Sequence, residues 1–258
     1  MNELLGLSFR PLTSTDSETG DLFTELISRA NSKNPTSFFG NETSHAYHLL
    51  DQRNLERSDL ARGFFLRPAC EPIILSHFEQ FKENEFSVET YVQFASVLTL
   101  QNIKLRRIPN AKLVLDDNEI LETHCSQLPN EAISSILKII KEVEEIDSGF
   151  LIEILARTIL IQPLVNSNSR TISGFLNLAL MKQHSICGPP LSIGPSFVVR
   201  PKETFFALRE LYTFSNWLPF LDLFKQALKE NIFALNLNSE LKHCSENQNS
   251  EDTSELDS

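Results

Sequence analysis

The chain has 258 residues, of which 41% are hydrophobic, so it is long enough and apolar enough to bury a sizeable core. Its formal net charge of −11 argues against general nucleic-acid binding, because phosphates attract a positive surface. The four cysteines, Cys70, Cys125, Cys187 and Cys244, are too far apart for a zinc spacing or a compact disulfide framework. We find no signal-peptide pattern and no apolar run of membrane-spanning length, and therefore expect a cytoplasmic protein; delivery into a host cell as an effector is not excluded.

Apolar residues recur at helical spacing along most of the chain. This periodicity predicts helices over residues 21–30, 43–52, 60–65, 72–82, 88–100, 130–146, 149–161, 171–183, 200–214 and 217–231. Ser87 stands where the fifth of these helices would need an N-cap. A mainly α protein follows from this pattern.

Two segments depart from the helical pattern. In residues 111–123, two short apolar runs flank an Asp-Asp-Asn turn, which predicts a β-hairpin. Residues 239–258 hold six carboxylate side chains against a single lysine, which predicts a disordered acidic tail. We therefore expect an N-terminal helical segment at 1–84 packed on a core at 85–238, followed by the tail at 239–258.

A short polar loop, Ile-Gln-Pro-Leu-Val-Asn-Ser-Asn-Ser-Arg at residues 161–170, separates two strongly apolar helices. Several of its side chains suit the N-cap of a helix that begins near Thr171, namely Asn166, Ser167, Asn168 and Ser169. Together with Arg170, the free N–H groups of that helix could bind a phosphate or another anion. The alternative is a cluster of capping residues with Arg170 in an internal ion pair, and the sequence leaves both open.

The loop resembles the signature of the Fic family, also called Fido, which reads His-x-Phe-x-Asp/Glu-Gly-Asn-Gly-Arg-x-x-Arg. Asn168 and Arg170 match this signature. The other positions hold different residues here: Gln162 for the histidine, Leu164 for the phenylalanine, Asn166 for the acidic residue, Ser167 and Ser169 for the glycines, and Ser173 for the last arginine. The segments at 106–107, 111–131 and 209–224 are similar to the flanks of the family's loop, so the resemblance covers roughly 85–230.

The resemblance implies a Fic-like helical bundle with one small β-hairpin, the flap. Many members of the family transfer AMP from ATP to a hydroxyl of a target protein, so ATP with Mg²⁺ is the implied ligand. The family's flap pairs with an extended segment of the target by β-addition. In this chain, that role would fall to the hairpin residues Leu113, Leu115 and Ile120.

Three chemical roles of the family's loop are changed at once. Gln162 cannot act as a base near neutral pH, and losing general-base help costs about 10²–10⁴-fold in rate. Asn166 is a weak ligand for Mg²⁺, and Ser173 brings no charge to a phosphate. If a histidine replaces the lost base, the sequence offers His124 or His184.

These changes predict a pseudoenzyme, impaired in AMPylation, that acts as a protein-interaction or regulatory module. Residual nucleotide or phosphate binding would involve Asn168, Arg170, Ser167 and Ser169. The alternative is an active protein adenylyltransferase, a nucleotidyltransferase that moves AMP or another phosphate-bearing group with a non-standard residue set. A third reading is a plain helical scaffold. We expect a protein partner or target, no nucleic acid and no membrane span.

Overall fold

The computed structural model describes residues 4–32, 80–116, 119–186, 191 and 193–252. It is mainly helical with one two-stranded hairpin, as the sequence predicts. The helices predicted at 43–52 and 60–65, and most of the helix predicted at 72–82, lie outside the described residues. Within the described ranges, no helix combines the length and the apolar character that crossing a membrane requires.

The predicted elements that fall within the described residues follow the predicted order, and the structure adds a 3-10 turn near residue 5 and a five-residue helix at 194–198. After a 3-10 turn at Leu4–Gly6 the elements are α1 Ser17–Ser32, α2 Val88–Thr99, β1 Ala111–Asp116, β2 Glu119–Thr123, α3 Pro129–Glu142, α4 Ser148–Ile161, α5 Asn168–His184, α6 Gly194–Val198, α7 Pro201–Phe214 and α8 Leu218–Asp252.

Helices α4 and α5 pack against each other in the centre of the described fold. The side chain of Asp147 starts α4 by accepting a hydrogen bond of 2.7 Å from the backbone N–H of Phe150. From Leu151 onward α4 buries every residue except Glu153, and α5 buries every residue from Thr171 to Met181. Helices that are apolar on most of their surface need neighbours on all sides, which accounts for their central place.

Helix α2 covers one side of α5. Its predicted N-cap is confirmed, since Ser87 Oγ accepts a hydrogen bond of 3.1 Å from the backbone N–H of Thr90. The two helices approach closely at Gly174 of α5, where an added Cβ would lie 3.0 Å from a ring carbon of Phe94. A glycine at this position therefore sets the spacing between the helices.

The hairpin lies beside the C-terminal end of α4. Strands β1 and β2 pair in antiparallel register, with Leu113 opposite Leu121 and Val114 opposite Ile120. At the end of β2, the hydroxyl of Thr123 donates a hydrogen bond of 2.6 Å to the carbonyl of Leu160. This contact ties the hairpin to the last turn of α4, next to the polar loop.

The C-terminal helices are joined by a buried ionic network. Arg200, which precedes α7, pairs with Glu230 of α8, and Ser196 of α6 donates a hydrogen bond of 2.5 Å to the same carboxylate. Helix α8 also packs along α1.

The backbone of α8 continues to Asp252, whereas the sequence predicts a disordered tail from residue 239. Residues 239–252 contain neither glycine nor proline, so no residue there interrupts a helix that grows from the packed turns before it. Side chains beyond residue 236 lie outside the described residues, and the division into domains stays a prediction.

Candidate functional site

The polar loop is held by backbone hydrogen bonds at its start. Gln162 ends α4 in the left-handed conformation, with φ of 45°, and its N–H donates to the carbonyl of Thr158 at 3.0 Å. The next residues pair with the chain that leads into the hairpin: the N–H of Arg106 donates to the carbonyl of Pro163, and the N–H of Val165 to that of Lys104, both at 2.9 Å. The loop and the approach to the hairpin are thus one hydrogen-bonded unit.

Asn168 closes the middle of the loop. Its side-chain Oδ1 accepts a hydrogen bond of 2.7 Å from the N–H of Leu164, and its Nδ2 donates one of 3.0 Å to the carbonyl of the same residue. Both ends of the amide are therefore engaged with the loop's own backbone. This residue, which also matches the Fic signature, holds the loop in shape.

Helix α5 starts earlier and is capped differently than the sequence indicates. It begins at Asn168 and not near Thr171, and Ser167, its N-cap, has φ of 65° and makes no side-chain capping hydrogen bond. Asn166 Oδ1 accepts a hydrogen bond of 2.7 Å from the N–H of Ser167. Of the side chains predicted to cap the helix, those of Asn166 and Asn168 thus form hydrogen bonds within the turn before it.

A cavity of about 420 Å³ opens between the loop and the hairpin. The described residues that line it are Leu113, Ile159, Gln162, Val165, Asn166, Ser167, Asn168, Ser169 and Arg170. All the loop residues that the sequence singles out for nucleotide or phosphate binding are therefore in its wall. Gln162 Nε2 lies 3.5 Å from the carbonyl oxygen of Lys112 in β1, so the loop and hairpin meet here.

The described wall of this cavity is polar but carries little charge. Among the described lining residues, Arg170 is the one ionised side chain, and none is a carboxylate or an imidazole. Asn166 offers a carbonyl oxygen that already accepts from Ser167, which makes it a poor ligand for Mg²⁺. Nowhere in the described ranges do three His, Cys, Asp or Glu side chains gather as a metal site would require.

Ser173, at the position of the family's last arginine, is buried within α5, with 3% of its surface exposed. It is not among the described residues that line the cavity. No positive charge therefore replaces that arginine at this position.

Neither histidine considered as a substitute base is in the described wall of the cavity. His184 is the last residue of α5, whose first residue is in the loop, so about 24 Å of helix separates it from the site. This distance excludes the role considered for His184. His124 follows β2, and its backbone N–H donates to the hydroxyl of Tyr212 at 2.8 Å.

The three hairpin residues considered for target binding divide between two faces. Leu113 and Leu115 are half-buried and pack toward the core, whereas Ile120 is exposed. Ile120 pairs across the hairpin with Val114, which is also exposed, and Lys112 forms a salt bridge of 2.6 Å with Glu122 on the same face. The hydrogen bond from Lys112 lowers the pKa of the Glu122 carboxyl.

Some features of the site were missed from the sequence. The sequence points to Arg106 only as part of the segment before the hairpin, whereas its guanidinium contacts the carbonyls of Gln162 and Asn110 and so supports the loop and the approach to the hairpin together. Val165, which lines the cavity with 68% of its surface exposed, was also missed. A pairing of single residues, as between Leu105 and Leu164, leaves no periodic pattern in a sequence.

A second cavity, of about 500 Å³, lies between the first turns of α7 and α8. The described residues that line it are Arg200, Lys202, Glu203, Phe206, Pro219, Asp222, Leu223 and Gln226. It contains none of the residues singled out from the sequence. We therefore place the candidate site in the smaller cavity, where the loop's polar groups converge.

Comparison with known proteins gives a likeness among the solved structures. No family model and no curated protein matches the sequence. Among solved structures, a Fic family protein from Desulfovibrio desulfuricans G20 is similar, with a TM-score of 0.60 and 14% sequence identity. The match covers 91% of this chain and 78% of that one. A likeness at this identity shows the fold, and the chain therefore has a Fic-like fold.

Proposed function

We propose that this protein is a Fic-like module that has lost AMP transfer and acts by binding or regulating another protein. The observation that carries this proposal is the lining of the loop cavity. Its described residues include a single charged group, Arg170, and neither a general base nor a carboxylate ligand for a metal. A cavity of this composition supports recognition better than group transfer.

The first lost role is proton removal from a target hydroxyl. Gln162 occupies the position of the family's histidine, and its amide cannot titrate near neutral pH. Its Nε2 lies near the carbonyl of Lys112, and its backbone carbonyl lies near the guanidinium of Arg106. In this proposal Gln162 joins the loop to the hairpin and performs no chemistry.

The second lost role is holding a metal-bound triphosphate. Asn166 is neutral and Ser173 is buried, so Mg²⁺ and the phosphates each lack a partner that the family signature provides. Arg170 and the first N–H groups of α5 give a weak attraction for anions. Residual phosphate binding would therefore be weak and would not require Mg²⁺.

Exposed apolar side chains near the cavity favour a protein partner. Val114 and Ile120 form an apolar pair on the outer face of the hairpin, with 61% and 52% of their surfaces exposed. Val165 adds a third exposed group in the cavity wall. Apolar groups that are costly to leave in water are typical of surfaces that a partner covers.

The loss of transfer is tested by binding and labelling measurements on the full chain. In calorimetric titration with ATP and Mg²⁺ we expect no binding tighter than about 1 mM, because the metal and phosphate ligands are missing. Incubation of a cell lysate with the protein and ATP labelled on its α-phosphate should leave target proteins unlabelled. Robust labelling that Arg170→Ala abolishes would contradict the proposal and favour an active transferase.

The interaction role is tested at the hairpin. The double variant Val114→Asp with Ile120→Asp places charge on the outer face without touching the core, and we expect it to reduce crosslinking to partner proteins in a lysate. Leu100→Asp is the matched control, because Leu100 is also exposed and ends α2 outside the hairpin. Equal crosslinking by both variants and the unmodified chain would remove the hairpin from the proposed interface.

A further inference from the structure

A short segment, Leu5–Arg10, crosses the described fold behind the loop cavity; we call it the strap. Leu5, Leu7 and Phe9 have 3%, 0% and 2% of their surfaces exposed, and Gly6 is buried as well, whereas Ser8 and Arg10 face solvent. After the 3-10 turn at Leu4–Gly6, burial therefore alternates from Leu7 to Arg10 as in an extended chain with one face in the core. The contacts along the strap link three elements that are far apart in the sequence.

One end of the strap holds the segment that follows β2. The thiol of Cys125 donates to the carbonyl of Leu5 at 3.3 Å, and the N–H of Ser126 donates to the carbonyl of Gly6 at 2.8 Å. Gly6 has φ of +75°, and an added Cβ would lie 2.9 Å from Cys125 Sγ and 2.9 Å from the backbone nitrogen of Gln127. Glycine is thus required by both conformation and space.

The other end holds the corner between α7 and α8. The N–H of Arg10 donates to Ser215 Oγ at 3.1 Å, and the indole N–H of Trp217 donates to the carbonyl of Arg10 at 3.0 Å. The rings of Phe9 and Trp217 meet edge to face, with centroids 5.7 Å apart. Trp217 is the chain's one tryptophan, so its fluorescence reports directly on this end of the strap.

Between these ends, the strap packs on α4. The guanidinium of the fully buried Arg157 lies 4.2 Å from the centre of the Phe9 ring and forms a salt bridge of 2.9 Å with Glu153. Ile159, which lines the loop cavity, is two residues further along α4 and hence about 200° around the helix. The strap and the cavity therefore lie on opposite faces of the same helix.

We propose that the strap is a latch: by joining the end of β2 to the α7–α8 corner, it holds the hairpin in place, and its release loosens the hairpin wall of the cavity. Leu5 and Gly6 both adopt left-handed conformations, with φ of 59° and 75°. For Leu5 this conformation is strained and is maintained only by the surrounding contacts. A segment held in this way has an alternative, relaxed state once its contacts are lost.

The test uses the full chain and two measurements. Hydrogen–deuterium exchange of residues 111–125 reports on the hairpin, and acrylamide quenching of Trp217 reports on the strap. Phe9→Ala removes the ring between Arg157 and Trp217, and Gly6→Ala forces a Cβ against Cys125. We expect both variants to raise exchange in the hairpin by about fivefold or more through local opening, and Phe9→Ala to raise Trp217 quenching as well.

Gly20→Ala is the matched control for Gly6→Ala, because a Cβ at Gly20 meets no atom within 4 Å. Exchange in α2 separates local from global effects, because none of the strap contacts described above reaches α2, whereas α3 packs on the turn at Leu4–Gly6. The latch is supported if hairpin exchange rises while α2 is unchanged. It is overturned if Trp217 becomes accessible with no change in the hairpin, if the hairpin and α2 change equally, or if neither variant changes the hairpin.

Discussion

At the scale of single residues, polar side chains of the loop form hydrogen bonds with the loop's own backbone. The amide of Asn168 makes two hydrogen bonds with the backbone of Leu164, and Oδ1 of Asn166 accepts from the following residue. A sequence reveals that such side chains are present but does not reveal which backbone groups they meet. A side-chain atom that holds the loop in shape is not free to bind a ligand as well. Here these side chains hold the loop in shape.

Replacing Asn168 should therefore affect stability more than replacing Asn166. Asn168→Ala leaves the N–H and carbonyl of Leu164, a fully buried residue, without partners, and we expect it to lower the free energy of unfolding by about 1–3 kcal/mol. Asn166→Ala, at an exposed position, should change it by less than about 0.5 kcal/mol. Urea denaturation of both variants measures the difference, and equal losses would contradict the role given to Asn168.

At the scale of elements, α1 is fixed to α8 by charge as well as by packing. Lys225 of α8 forms salt bridges of 2.8 Å with Asp16 and 3.2 Å with Glu18, and Lys229 reaches Glu18 at 2.7 Å. Asp16 also caps α1, since its Oδ1 accepts from the N–H of Thr19 at 2.8 Å. Hydrogen bonds from Lys225 and Thr19 lower the pKa of Asp16 from 3.8 to about 2.

This pKa shift gives a pH dependence of defined sign. A carboxyl whose pKa is lower in the folded state stabilises the fold fully above its unfolded pKa of about 3.8, and this contribution is lost as the pH falls through about 2. Asp16→Asn keeps an N-capping oxygen but removes the charge, so we expect it to lower the melting temperature at pH 7 and to approach the unmodified chain only as the pH falls below about 2. Asp21→Asn, on the same helix, is the control. A loss of melting temperature in Asp16→Asn that is the same at every pH would contradict this account.

At the scale of the whole molecule, the sequence predicts what is local and repeated. Helices α4 and α5 were predicted because they are apolar on nearly every side, and the hairpin because a polar turn interrupts two apolar runs. That the loop lies beside the hairpin came from the family resemblance, and the Fic-like fold confirms the architecture behind it. The strap was not predicted, because its partners at Cys125, Arg157 and Trp217 are more than a hundred residues away in the sequence.

The fold also determines how the site could be rebuilt. We expect five substitutions to restore Mg²⁺-dependent ATP binding: Gln162→His, Asn166→Asp, Ser167→Gly, Ser169→Gly and Ser173→Arg. They supply a carboxylate ligand for Mg²⁺, let the backbone approach the phosphates closely and add a second positive charge. Ser167→Gly should be the best tolerated, since φ there is 65°. Calorimetric titration measures the recovery, with Arg170→Ala in the same background as the control.

The main steric obstacle to this rebuilding is the buried position of Ser173, where an arginine has to be placed. Two large side chains of α5 do not fill the described cavity: Phe175 is fully buried among the rings of Phe86, Tyr91 and Phe94, and His184 is at the far end of α5. An arginine at the buried position 173 must instead reach the cavity from inside α5. The variant without Ser173→Arg should therefore fold better but bind ATP more weakly than the variant with all five changes. If the variant with all five substitutions folds and binds no ATP, the cavity itself is closed to nucleotide. Tight Mg²⁺-dependent binding of ATP by the unmodified chain would contradict the loss of transfer chemistry.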